Sequence, residues 1–139
     1  MHIYKWDESL KTDHANVDND NHTIVKTAQT LSNLILRNDD HNKIIEAAKS
    51  LENVIFAHFE LEEMMQLYSN FNNYNEHKRQ HARLLKEFTR LINRIVSDPE
   101  SKAHASELDR LIEQTYFDHI RKHDTEAAKY ILQRDYYHN

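Results

Sequence analysis

Not one glycine occurs in the 139 residues of this chain, and its single proline is Pro99. Glycine enters the left-handed backbone region without steric cost, so tight hairpin turns and phosphate-cradling loops depend on it. A chain without it has lost the connecting pieces of most β architectures and nucleotide-binding loops. Helix interiors need neither glycine nor proline, and the chain is therefore constrained towards an all-α fold. Its length suits one domain that buries a core of its own.

Polar clusters take over as punctuation, at Asn16 to Asn21, Asn38 to Asn42, Ser69 to Asn73, and Ser97 to Ser101 around Pro99. They predict an amino-terminal arm over residues 1–17, with Trp6 packed on the body, and helices over about 19–37, 41–67, 72–97 and 103–134. Apolar residues recur between the clusters at helical spacing. In the first segment Ile24, Ala28, Leu31 and Ile35 form one stripe, with His22, Val25 and Leu36 beside it. The second runs Ile44, Ala48, Leu51, Ile55, His58, Glu62 and Met65, and the third Tyr74, His77, His81, Leu84, Phe88, Leu91 and Ile95. In the fourth, Leu108, Leu111, Ile112, Tyr116, His119, Ile120, Ala127 and Ile131 are expected inside. Short connections make consecutive helices antiparallel neighbours, which gives an up-down-up-down antiparallel four-helix bundle.

Composition narrows the function classes. Lys and Arg number 18 against 23 Asp and Glu, and the mixed signs and net charge of −5 are no nucleic-acid footprint. No cysteine is present, which removes thiolate zinc sites, iron–sulfur clusters and disulfides together. No apolar run has the length of a membrane span, and the opening MHIYKWDESL lacks a signal-peptide layout. A soluble cytoplasmic protein, monomeric by default, is the expectation.

Histidine, at 11 residues, is the excess to be explained. His58 and Glu62 stand four apart on the second helix, and His77 and His81 four apart on the third. Each pair shares a helix face and can aim two donor atoms into one small volume. On the fourth helix His119 and Asp124 are five apart, which at 3.6 residues per turn rotates the second by about 140°. Asp124 must then approach from an adjoining face or through a distorted turn. Carboxylates and imidazoles crowded on buried stripes demand a cation. Ligands of this kind without sulfur suit iron, manganese or zinc, and their number exceeds what one ion accepts. With His22 supplied by the first helix, five histidines, two bridging carboxylates and a bridging oxygen fill all but one of the roughly twelve positions of two octahedral ions. Such a site admits one small ligand.

The order His22, then His58-Phe59-Glu60-Leu61-Glu62-Glu63, then His77-Lys78-Arg79-Gln80-His81, then His119-Ile120-Arg121-Lys122-His123-Asp124 resembles the hemerythrin pattern, in its single-domain bacteriohemerythrin form. The resemblance spans nearly the whole chain and includes Trp6. It implies two iron ions bridged by an oxo or hydroxo group, His77, His81 and His119 on one, His22 and His58 on the other, with Glu62 and Asp124 bridging. Dioxygen would bind reversibly at the iron with two histidines, for carriage, storage or sensing, or for delivery to an oxygen-consuming enzyme. The oxygen pocket would be walled by Val25, Phe59, Thr115, Tyr116 and Ile120. Two of these depart from the family: Thr115 stands where it has tryptophan, and Tyr116 where it has leucine. The Tyr116 phenol could donate a hydrogen bond to a bound ligand or compete for the open iron.

Other histidines, at positions 2, 14, 41, 104, 123 and 138, are read as surface or satisfied core residues, and Glu60 and Glu63 as a solvated face. Two alternatives to a non-enzymatic oxygen binder follow from the same site. One is a di-iron oxidase or peroxidase, or an enzyme handling nitric oxide. The other is a zinc or structural metal site, although Lys78, Arg79 and Gln80 between His77 and His81 leave no H-E-x-x-H general base.

Overall fold

A computed structural model describes Tyr4 and residues 6–138, with side chains as far as Arg134. Four helices form the bundle: α1 (Ala15–Leu36), α2 (His41–Tyr68), α3 (Tyr74–Ser97) and a long α4. The last is a composite in which Ala103–Arg110, Phe117–His119 and Thr125–His138 are α-helical, while Leu111–Tyr116 and Ile120–Asp124 are wound as π-helix. Around the bundle α1 packs on α2, α2 on α3, α3 on the start of α4, and α4 back on α1. That is the up-down-up-down arrangement the short connections predict.

Asparagine does the work of the missing glycine at two turns. Asn38 (φ 51°) and Asn70 (φ 56°) take the left-handed conformation just beyond α1 and α2. Each lets the next amide reach back to the helix end, Asp39 N–H to the Leu34 carbonyl and Phe71 N–H to the Gln66 carbonyl, both at 3.0 Å. Asn tolerates this region better than other residues with a Cβ, which explains the clusters read as punctuation. Asp40 caps α2 by accepting from Asn42 N–H. Beyond α3, Asp98 is driven out of the helical region (ψ 75°), as a residue before proline is.

α1 begins at Ala15, earlier than the predicted 19, so residues 15–17 belong to the helix and not to the arm. The cause is a local cap. His14 accepts from Val17 N–H, and the Asp18 carboxylate takes both the Thr12 N–H (2.9 Å) and the Thr12 hydroxyl (2.6 Å). The asparagines of residues 16–21 are helical because this cap holds the first turn.

The core is one continuous cluster running from Leu10 and Ile24 through Ile55 and Phe88 to Ile112 and Ile120. The arm joins it by burying Tyr4 and Leu10 and by setting Trp6 edge-on to Phe117, at 6.3 Å between ring centroids. Arg121 anchors the arm from outside through the Ser9 hydroxyl (2.7 Å). Among the described residues no helix is long and apolar enough to cross a membrane.

Candidate metal centre

At one end of the bundle the apolar stripes turn polar. One ligand atom from each of Glu62, His77, His81, His119 and Asp124 lies within 4.8 Å of all the others, and all five residues are buried. The i,i+4 spacing explains three of them, since α2 aims Glu62 and α3 aims His77 and His81 into the same space. The other two depend on the π turn. Over Ile120–Asp124 each turn takes in about one extra residue, so a five-residue step returns Asp124 to nearly the face of His119, and the two meet at 3.0 Å. The Thr125 hydroxyl helps hold this winding by donating to the Ile120 carbonyl, five residues back, at 3.0 Å.

The two carboxylates divide their oxygens. Glu62 Oε1 lies 2.8 Å from His77 Nε2 and 3.0 Å from His81 Nε2, and Asp124 Oδ1 lies 3.0 Å from both His77 Nε2 and His119 Nε2. Their other oxygens face α1 and His58: Glu62 Oε2 is 3.6 Å from His58 Nε2, and Asp124 Oδ2 accepts from Asn21 Nδ2 at 3.3 Å. Each carboxylate thus presents one oxygen to the three-histidine side and one to the opposite side, the disposition that suits bridging.

Outer contacts orient the imidazoles. Asp20 is 3.1 Å from Nδ1 of His58, Gln66 2.8 Å from Nδ1 of His77, and Glu63 3.0 Å from Nδ1 of His81. Partners on Nδ1 leave Nε2 directed inward, the arrangement by which metal-binding histidines are held. Glu63, expected on a solvated face, therefore supports His81. Phe59 stacks flat on the His81 ring, with centroids 4.0 Å apart and planes 2° from parallel.

Electrostatics call for positive charge here. Burial opposes protonation of His77, yet its contacts with Asp124 and Glu62 outweigh burial and push its pKa up to about 9. His81 is raised for the same reason, with Glu62 and Glu63 as partners. Burial would raise Asp124, but the neighbouring histidines, His119 first, hold it well below the ordinary carboxylate value. Glu62 stands at ion-pair distance from the His77 and His81 rings, yet its two oxygens and the buried Nε2 atoms of His58 and His81 lack hydrogen-bond geometry. Native interiors rarely leave so many polar atoms unmatched in one place, and a shared cation matches them. The donor set, imidazole and carboxylate without sulfur, fits iron, manganese or zinc.

Not every expected residue joins this cluster. His58 borders it through Glu62. His22 stands aside, half-buried, with its ring tilted against Trp6 at 3.9 Å between centroids. In its place α1 turns inward Asn21, which is fully buried and was missed. The signal existed, because the stripe of Ile24, Ala28, Leu31 and Ile35 extends backwards by one step of three onto position 21. Of the expected pocket residues, Val25, Phe59, Tyr116 and Ile120 are buried. Thr115 is half-buried and lines an outer cleft with Gln80, Asp118 and His119. The Tyr116 hydroxyl donates to Asn21 Oδ1, so its proton is directed at the amide. Burial, then Asp124, Glu62 and Asp20, raise its pKa well above the usual phenol value, and the phenol stays protonated.

His14 is a helix cap, His41 an exposed partner of Glu100, and buried His104 lies 3.0 Å from the Asp98 carbonyl through Nε2. His123 sits over the edge of the cluster, 5.2 Å from the His119 ring. His2 and the side chain of His138 lie outside the described residues.

No protein-family model matches the chain, and no curated protein does. What fold and site define is a four-helix-bundle protein with a buried histidine–carboxylate cluster able to hold a metal centre. That cluster resembles the di-metal site of hemerythrin-like proteins.

Proposed function

We propose that the protein binds dioxygen reversibly at a non-haem di-iron centre, as a carrier, store or sensor and not as an enzyme. The observation that supports this reading most is the pairing of oxygens on Glu62 and Asp124, one turned to three imidazoles and one to His58 and α1. Two iron ions bound there would supply the two electrons and the open coordination position that dioxygen requires.

The chain's own residues do the rest. His77, His81 and His119 would hold one ion, His58 and a side chain of α1 the other, with Glu62 and Asp124 shared. With metal on His77 Nε2 the ring proton sits on Nδ1; Gln66 now presents its amide nitrogen there at 2.8 Å, and turning the amide over would bring its buried, unpartnered oxygen round to accept that proton. Phe59, Val25 and Ile120 exclude water. A cleft of about 350 Å³ between α2 and α3 reaches Phe59 and His81 on the three-histidine side, with a mainly apolar lining. One chain supplies the whole proposed ligand set, so the reading needs no partner and takes the protein as a monomer.

A second reading, an oxidase, peroxidase or nitric-oxide-handling enzyme at the same centre, draws on Tyr116, a buried hydroxyl where an apolar wall is expected. Anaerobic reconstitution with ferrous iron followed by oxygen titration separates the two. A charge-transfer band that forms with oxygen and disappears on its removal supports carriage; irreversible bleaching with consumption of oxygen supports the enzyme. Preferential retention of zinc, with no ferrous iron bound, would end both.

A further inference from the structure

Resting on the di-iron reading, we infer that the side chain α1 contributes to the second metal position is Asn21, through its amide oxygen, and not His22. Three observations converge. Asn21 lies on the inward stripe of α1 with Val17, Ile24, Ala28 and Ile35 and has no exposed surface. Its Nδ2 stands 3.3 Å from Asp124 Oδ2, the carboxylate oxygen that faces away from the three histidines. Its neighbour Asp20 reaches Nδ1 of His58, so consecutive residues of α1 serve the same side of the site. His22, about 100° further round the helix, is committed to Trp6 at the surface of the arm.

Asn21 can take a cation on its oxygen while keeping the Tyr116 hydrogen bond, the Nδ2 contact with Asp124 Oδ2 being the one that metal would replace. An amide oxygen has two lone pairs; one accepts the Tyr116 hydroxyl proton, and the other is available. Tyr116 is then a positioning residue, buried completely and placed to fix the amide plane. The two metal positions become chemically unequal. One has three imidazoles; the other has a single imidazole, His58, with oxygen donors from Glu62, Asp124 and Asn21. A neutral amide oxygen is a weaker ligand for iron than imidazole, so the second ion exchanges more readily and prefers harder metals.

Anaerobic ferrous titrations of the full chain, read as ions bound per chain, with circular dichroism as the folding check, test the assignment. Wild type and His22→Ala should both bind two ions with affinities within about twofold. Asn21→Ala should weaken the second ion at least about tenfold while leaving the first in place. Asn21→His, which sets an imidazole at the inferred position, should tighten the second ion and guards against a merely structural effect of the alanine variant. Two ions in wild type and Asn21→Ala, with one lost in His22→Ala, would overturn the assignment alone. Fewer than two ions in wild type would overturn the di-iron reading and the assignment with it.

Discussion

The two sides of the metal site are built by opposite means. On the α3 side His77 and His81 are fixed relative to each other by one helical turn, and a register error would have to displace both. On the α1 side Asn21 alone meets the cluster, with Asp20 reaching only the outer nitrogen of His58, so nothing but the apolar stripe of the helix decides whether position 21 or 22 faces inward. Paired ligands carry their own register, whereas a lone ligand borrows it from the helix around it.

Breaking the paired side should cost most. His77→Ala removes the imidazole that touches both Glu62 and Asp124, and ferrous binding at the three-histidine position should fall by about 100-fold or more, more than the usual loss of an outer-shell partner. Unaltered iron content would dismiss the cluster as a metal site.

Next in size is the pH response of protein stripped of metal by chelation. His77 has a folded-state pKa of about 9 against an ordinary 6.5, so its ion pairs contribute fully below about pH 6.5 and are lost as pH rises through about 9. Asp124, shifted the other way, contributes above its ordinary value of 3.8 and is lost only as pH falls through its lowered folded value. Denaturant melts should therefore show stability falling between pH 6.5 and 9, by on the order of 3 kcal/mol from His77. Metal replaces the protons, so the loaded protein should lose this slope; a flat profile in the stripped protein would contradict the electrostatic account.

Smaller effects sharpen the α1 side. Tyr116→Phe deletes the hydroxyl bonded to Asn21 and leaves the ring against Phe88, so a loss of about 1 kcal/mol is expected in equilibrium unfolding, with the second ion weakened and the first untouched. Equal weakening of both ions would show that Tyr116 acts on the whole bundle. The least change belongs to Thr125→Val, which removes one hydroxyl contact from the π turn, at about 0.5–1 kcal/mol in the same measurement. A loss well beyond 1 kcal/mol would give that hydroxyl a larger share in holding the turn.

What could be read without coordinates follows the same division. The bundle, its order, α2, α3 and the pairs His58/Glu62 and His77/His81 were legible because burial repeats at helical spacing. The five-residue step from His119 to Asp124 announced a distortion but not its form, since nothing local marks a π turn. The start of α1 was hidden because asparagine signals boundaries when it stands alone, while here the Thr12, His14 and Asp18 contacts stabilise a helix straight through it. The burial of Asn21 was hidden because the residue falls in a polar cluster read as punctuation, although the apolar stripe of α1 extends onto its position.

The π winding of α4 can also be stated as a matter of length. Each π turn accommodates about one residue more than an α turn, so α4 behaves as an α-helix with an insertion absorbed in Leu111–Tyr116 and another in Ile120–Asp124. Deleting one residue between His119 and Asp124 would return that stretch to ordinary α geometry and leave a sound helix. The aspartate would then sit four residues after the histidine, on nearly the same face, and the helix from Thr125 onward would keep nearly its present rotation on the bundle. The π winding is what allows a chain carrying the extra residue to keep the end of the helix seated on the core and Asp124 aimed at the cluster. A one-residue change of length inside these two turns is therefore one the helix can take up locally, by exchanging π winding for α.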